Sequence, residues 1–158
     1  MIRVQREDFD PAAELAALAA GKRNIGGVVS FVGLVREMTG AGAITAMTLE
    51  HYPGMTEKKL AEIEAEAQRR WPLEASLIIH RYGRLEPGER IVFVATAAAH
   101  RDAAFDACRF LVDWLKTKAP FWKQEETPEG ARWVEARAED DAAAAAWASP
   151  RPEPDAAE

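Results

Sequence analysis

The sequence predicts a single α+β domain in which most strands pair antiparallel. The chain has 158 residues, 48% of them apolar and 29% charged, a balance typical of one globular domain with an ordinary core. Helix-like and strand-like segments alternate along it. The loops between them contain Pro-Gly or several glycines, which favours hairpins over the regular βαβ crossovers of a parallel sheet.

The N-terminal third predicts one helix and two strands. Residues 8–20 form the helix, because Asp10 can cap it and Pro11 suits its first position. Residues 25–35 are β-branched and apolar, and they predict a largely buried strand. After a glycine-containing loop, residues 44–52 predict a second strand, which ends at Pro-Gly.

The middle of the chain predicts an amphipathic helix, a strand pair and a long helix. Residues 55–70 place apolar side chains at helical spacing among charges. Residues 75–82 and 90–97 predict strands that pair across a Pro-Gly turn. Residues 101–118 predict the long helix. Its apolar face comprises Phe105, Cys108, Val112 and Leu115.

The C-terminal part begins at Pro120, which has no N–H to donate and ends the long helix. Residues 119–130 predict a loop, and residues 131–137 a last strand. From about residue 139 the chain becomes alanine-rich and acidic, and its proline-containing end predicts a disordered tail. We therefore expect a domain over residues 1–140 and a tail over 141–158.

Composition excludes several classes of protein. The net charge of −6 argues against a protein that coats nucleic acid. No apolar stretch approaches the length of a membrane span, and the N-terminus does not resemble a secretory signal, so we expect a soluble, cytoplasmic protein. One cysteine and three scattered histidines rule out a Cys/His zinc site, and no motif indicates a metal or cofactor.

A local excess of cations stands out against this acidic background. Residues 100–123 hold five Lys or Arg and three Asp, a net +2 in a chain of −6. His100 and Arg101 lie where a strand gives way to a helix, whose free N–H groups favour an anion. His100 could equally cap that helix while Arg101 is solvated. The segment suggests a site for a small anionic ligand.

Two lysines and one more arginine are further candidates. Lys123 follows Phe121 and Trp122, and apolar neighbours would desolvate it and lower its pKa toward neutrality. Lys116 could act with it, or could simply complement the helix dipole. Arg36 follows a strand end, where a ligand could be met. A solvated surface role is the alternative for each of these cations.

Six segments in order resemble the large, catalytic subunit of molybdopterin synthase. They are GGVVSFVGLVRE (26–37), LEHYPGMTEKKLAEI (49–63), IIHRYGRLEPGE (78–89), HRDAAFDAC (100–108), LKTKAPFWKQE (115–125) and EGARWVEA (129–136). The resemblance covers about residues 1–140. It implies an α/β-hammerhead fold, a homodimer, and a heterotetramer with a small ubiquitin-like sulfur carrier ending in Gly-Gly.

The implied activity is transfer of two sulfurs from the carrier's C-terminal thiocarboxylate to cyclic pyranopterin monophosphate, which forms the molybdopterin dithiolene. The resemblance assigns Lys116 and Lys123 as catalytic residues. It places nine residues in the substrate pocket: Leu34, Val35, Arg36, His100, Arg101, Lys116, Lys123, Gln124 and Glu125. Gln124 stands where many relatives carry a basic residue, and Ala98 where they often carry serine.

Two other functions suit the same residues. The cations could serve a non-catalytic module that binds a small phosphorylated ligand. The Pro-Phe-Trp segment at 120–122 could instead be the surface of a pure interaction protein. Sulfur transfer from a thiocarboxylated carrier separates an enzyme from the first alternative, whereas loss of binding on mutation of Pro-Phe-Trp, with the lysines unimportant, would favour the second.

Overall fold

The computed structural model describes residues 1–40, 42–135 and 137–148, and it confirms the α+β class. Its helices are α1 (Pro11–Ala19), α2 (Met55–Arg70), α3 (Arg101–Lys118) and α4 (Ala138–Ala145). Its strands are β1 (Ile2–Gln5), β2 (Gly27–Leu34), β3 (Met38–Thr39), β4 (Gly42–Ala43), β5 (Ala46–His51), β6 (Leu73–Arg81), β7 (Gly83–Leu85), β8 (Arg90–Ala98), β9 (Phe121–Thr127) and β10 (Gly130–Val134).

The strands form two four-stranded sheets and one short ribbon. The first sheet has the order β1-β6-β8-β2, in which only the β1–β6 pair is parallel. The second sheet has the order β10-β9-β5-β7 and is antiparallel throughout. The ribbon pairs β3 with β4. The predicted antiparallel pairing across the Pro-Gly turn is confirmed, since β6 pairs with β8.

Both faces of the first sheet are covered. Helices α2 and α3 pack on one face, where Leu60, Ile78 and Phe110 belong to the main core cluster. Helix α1 covers the other face over Leu77 and Phe93. A sheet covered on both sides reads as continuous apolar sequence, as the central strands β6 and β8 do.

The helix predictions hold where local signals were strong. The Asp10 carboxylate accepts a hydrogen bond from the Ala12 amide at 2.9 Å, as expected of an N-cap. Helix α2 has the predicted bounds of 55 and 70, and α3 those of 101 and 118. Cys108 is buried on α3 as predicted, but Phe105, which was expected on the same apolar face, is 60% exposed.

The predicted loop at 119–130 is wrong, because it contains strand β9. That strand lies between β5 and β10 and so gains hydrogen-bonding partners on both sides. Tertiary pairing of this kind overrides the polar composition of the segment. Strand β1 was also missed, and it joins the first sheet only through its parallel pairing with β6.

The alanine-rich segment begins with a helix that the sequence did not predict. The expected boundary between residues 140 and 141 falls inside α4, which packs against α3. The last ten residues, which carry the predicted disorder, lie outside the described residues.

Helix α3 runs the length of the first sheet, from one end of the domain to the other. It begins just after Ala98, the end of β8, and runs back along β8 and β2. Its start packs on the start of β2, since a Cβ at Gly27 would lie 3.8 Å from the Arg101 Cα. Eighteen residues of helix extend about 27 Å, so the C-terminus of α3 lies at the opposite end of the sheet.

Candidate active site

Lys123 lies on the inner face of strand β9. Side chains alternate along a strand, so Lys123 shares its face with Phe121 and not with Trp122. Its cross-strand neighbour is the fully buried Leu49. Trp122 is half exposed on the outer face. The expectation that both aromatic residues desolvate Lys123 is therefore correct for Phe121 and wrong for Trp122.

The surroundings of Lys123 lower its pKa, as predicted. Burial is the main cause, because removing an ammonium from water disfavours its charged form. The positive charge of Lys116 lowers the pKa further, whereas Asp140 opposes that effect. A lysine in these surroundings can exchange a proton closer to neutrality than a solvated one.

Lys116 lies in the last turn of α3, close enough for its charge to act on Lys123. The turn at Ala119 and Pro120 reverses the chain, so the two lysines approach each other from a helix and a strand. The Lys116 side chain is half exposed, and its Nζ lies 3.5 Å from Asp140 Oδ1. Lys116 can therefore contact a ligand that arrives from solvent, while Lys123 remains half-buried on the inner face of β9.

Gln124 and Glu125 follow Lys123 on β9, and Glu125 shares the inner face of the strand with Lys123 whereas Gln124 does not. Glu125 is buried, and its Oε2 accepts hydrogen bonds from Arg132 Nη2 at 3.0 Å and Thr39 Oγ1 at 3.4 Å. Its carboxylate is thus engaged by the protein. Gln124 pairs with Trp133 across strand β10, so it belongs to the outer face of the second sheet.

The segment Leu34–Arg36 lies at the same end of β2 as the lysines. Leu34 is half exposed and Arg36 is exposed. Val35 is buried in the core of the second sheet, beside Leu49 and Phe121. Its side chain is therefore closed to a ligand, and both of its backbone groups already bond to the turn before β8.

His100 and Arg101 lie at the other end of α3. His100 is the N-cap residue, but its side chain makes no capping hydrogen bond. The Arg101 side chain is 86% exposed, and its Nε lies 3.8 Å from an equally exposed Asp102. Arg101 precedes Lys116 by fifteen residues of helix, which corresponds to about 22 Å. Within one chain, the residues predicted for the pocket therefore form two clusters at opposite ends of α3. One cluster is His100 and Arg101, and the other contains Lys116 and Lys123.

Two charged or titratable side chains near the lysines were missed. His80 is buried on β6, and its ring stacks on Phe121 with centroids 3.7 Å apart. Alternation with Ile78 along the strand could have indicated its inward position. Asp140 belongs to α4, and no pattern in the alanine-rich segment indicated that it contacts Lys116.

The described residues also bear on three further points: the reactivity of Cys108, a metal site and a membrane-spanning helix. Burial raises the pKa of the Cys108 thiol to about 11, so this cysteine is no nucleophile near neutral pH. Within the described ranges, no three His, Cys, Asp or Glu side chains form a group that could hold a metal ion. No helix in the described part of the chain is long and apolar enough to cross a membrane.

The fold and these two clusters define a class of protein: an α+β domain that places a desolvated lysine beside a second cation at one end of a long helix and an exposed His-Arg pair at the other. Comparisons specify the family. The MoaE protein family matches residues 4–118. A Pseudomonas aeruginosa protein named molybdopterin synthase catalytic subunit is 61% identical over 146 residues, which cover 92% of this chain and 97% of that protein.

Solved structures agree with this match. A molybdopterin biosynthesis MoaE protein from Burkholderia ambifaria has a TM-score of 0.81 and 56% identity, covering 94% of this chain and 98% of that one. Molybdopterin synthase from Staphylococcus aureus has a TM-score of 0.78 and 30% identity, covering 84% and 96%. The chain belongs to the MoaE family.

Proposed function

We propose that the chain is the catalytic subunit of a molybdopterin synthase. It transfers two sulfurs from the C-terminal thiocarboxylate of a small ubiquitin-like carrier to cyclic pyranopterin monophosphate, and so forms the dithiolene of molybdopterin. The observation that carries the proposal is the pairing of Lys116 with the desolvated Lys123, in a chain 61% identical to a protein of that name. We also expect the enzyme to act in the cytoplasm.

The chemistry suits these residues. A thiocarboxylate and a phosphate are both anions, so the site needs several cations. Because the only cysteine is buried, the sulfur has to arrive on a partner. Lys116 holds the thiocarboxylate electrostatically, and Lys123 donates a proton to the oxygen that leaves the pterin side chain.

Mass spectrometry of the product tests this function. The chain is incubated with cyclic pyranopterin monophosphate and carrier in its thiocarboxylate form, and we expect a product in which two sulfurs replace two oxygens. A carrier ending in an ordinary carboxylate is the control and should give no product. Tight substrate binding without sulfur incorporation would support the non-catalytic, phosphate-binding module instead.

We infer that two copies of the chain complete the site. Arg101 and Lys116 are separated by about 22 Å along one helix, too far for one small ligand to contact both. In a two-fold dimer, the His100–Arg101 cluster of one copy can approach the lysines of the other. Light scattering should then give about twice the 17.4 kDa chain mass, and more when the carrier is added.

Mixed dimers test the shared site. With substrate well below its dissociation constant, Lys123→Ala alone should keep about 1% of the parent rate and Arg101→Ala alone about a tenth. Random mixing places both intact residues together at one of the two sites in half of the dimers, which restores about a quarter of the parent activity. If each chain contains its own complete site, mixing restores nothing.

Arg101 is expected to bind the substrate phosphate together with the free amides at the start of α3. Replacing Arg101 with alanine should weaken substrate binding by about 1.5 kcal/mol, the lower end for a charged hydrogen bond because the side chain is exposed. Calorimetry with the pterin substrate measures this loss. Arg109→Ala, on the exposed side of the same helix, is the matched control and should bind normally.

A further inference from the structure

Asp140 differs from the acidic residues beside it. Glu139, Asp140 and Asp141 all lie in the first turn of α4. Glu139 and Asp141 are exposed, whereas the Asp140 side chain is only 27% exposed and its Oδ1 lies 3.5 Å from Lys116 Nζ. Acids in the first turn of a helix stabilise its dipole, but that effect applies to all three. Among these three residues only Asp140 contacts Lys116, because it lies on the side of α4 that packs against α3.

A second set of contacts anchors the C-terminal end of α4. The indole Nε1 of Trp147 donates a hydrogen bond to Asp113 Oδ2 at 2.8 Å. Arg70 Nη1 donates to the Trp147 carbonyl oxygen at 2.7 Å. The Trp147 ring packs edge-on against Trp71 and Phe110, with centroids 5.6 and 5.7 Å away. We call these contacts the Trp147 anchor, and they fix α4 against both α2 and α3.

We propose that Asp140 is a positioning residue for the two lysines and that the Trp147 anchor holds it in place. The proposal rests on the function assigned above and extends it to a segment outside the predicted pocket. An ammonium group has three donors, so Lys116 can bond to Asp140 and still meet an anionic ligand. Asp140 thereby restricts a half-exposed lysine side chain that solvent alone would leave mobile.

The charges around Lys123 determine what the loss of Asp140 does. The charged and titratable groups that face Lys123 are Lys116 from α3, Arg137 and Asp140 from the α4 segment, Glu125 from β9 and His80 from β6. Asp140 opposes the effects of Lys116 and Arg137 on the pKa of Lys123. Without it the ammonium form of Lys123 is less stable, and less of the proton donor remains at high pH.

The first test follows the lysines by NMR in the full-length chain, without carrier or substrate. The Lys123 signal in ¹³C-lysine-labelled protein is assigned with Lys123→Arg and titrated with pH. In Asp140→Asn we expect the Lys123 midpoint to fall by about half a pH unit. Glu139→Gln and Asp141→Asn each remove one negative charge from the same helical turn, and they should leave the Lys123 midpoint unchanged. An unchanged midpoint in Asp140→Asn, or equal shifts in the controls, overturns the proposal.

The second test examines the anchor. Trp147→Ala should lower the Lys123 midpoint as Asp140→Asn does, and the double variant should show no further shift, because both act through one contact. Trp147→Phe keeps an aromatic ring but loses the bond to Asp113, so it should give a smaller shift even if Trp147→Ala fails to fold. Additive shifts, or parent behaviour in Trp147→Phe and Trp147→Ala alike, would show that the anchor does not position Asp140.

Activity supplies an independent measurement. Asp140→Asn should lower the rate of sulfur transfer about threefold at pH values above the Lys123 midpoint measured by NMR, and leave it near the parent rate well below that midpoint, since the loss of the protonated Lys123 begins earlier. A parent chain without sulfur transfer would contradict the proposed function. The NMR result on Asp140 would stand in that case, so the two failures are distinguishable.

Discussion

Replacing Lys123 with alanine is expected to slow sulfur transfer by about 100-fold or more, the usual effect of removing an acid–base group. The side chain is half-buried beside Phe121 and Leu49, and its pKa is lowered by that burial and by Lys116. Single-turnover assays with thiocarboxylated carrier measure the effect on the chemical step itself.

The control for this prediction is another lysine at the end of α3. Lys118 Nζ lies over the Trp114 ring, 5.1 Å from its centroid, and takes no part in the proposed site. Lys118→Ala should therefore transfer sulfur at the parent rate. Lys123→Ala must also retain the fold and bind carrier, so that its loss of rate reports chemistry. Turnover of Lys123→Ala at the parent rate would contradict the catalytic assignment.

The pH dependence separates the roles of the two lysines. Lys123→Ala should flatten the pH profile, because the group whose protonation limits the rate is gone. Lys116→Ala should also lose about 100-fold, but Lys116→Arg keeps a cation and should preserve the shape of the profile. If Lys116→Arg flattens the profile and Lys123→Arg preserves it, the two roles are reversed.

Local signals predicted much of the fold, and tertiary pairing determined the rest. Helix α1 follows from a cap and a proline, and α2 from apolar spacing, both of which act within a few residues. Strand β9 has no such signal, since its hydrogen-bonding partners β5 and β10 lie elsewhere in the chain. The missed strand matters for function because its alternation puts Lys123 inside and Trp122 outside.

The sequence names residues for the candidate site but does not give their geometry. A resemblance of segments identifies Arg101 and Lys116 but cannot say that a helix holds them about 22 Å apart. It also does not distinguish the buried Val35, or Glu125 bonded to Arg132, from residues that are open to a ligand. Asp140 was beyond prediction because its contact depends on how α4 packs on α3.

His80 should make the protein sensitive to acid. Burial, together with the charge of Lys123 and a smaller effect of His51, lowers the pKa of His80 from 6.5 to about 4, although the hydrogen bond to the Arg81 carbonyl opposes the shift. The native ring therefore stays neutral down to about pH 4, whereas the unfolded chain takes up a proton below about 6.5. The free energy of unfolding should fall across this window as the pH is lowered.

The size of this fall and its cause can both be measured by urea denaturation between pH 7 and pH 4. His80 should account for a loss of roughly 3 kcal/mol, since each pH unit of displacement corresponds to about 1.4 kcal/mol. His80→Phe keeps an aromatic ring against Phe121 but cannot be protonated. Its free energy of unfolding should therefore fall by roughly 3 kcal/mol less than that of the parent. His100→Gln removes an exposed histidine and should follow the parent curve.

Asp8 does not interfere, because its pKa is lowered to about 2 and its contribution is lost only below about pH 4. If His80→Phe loses as much stability as the parent between pH 6.5 and 4, His80 is not the group responsible for the acid sensitivity.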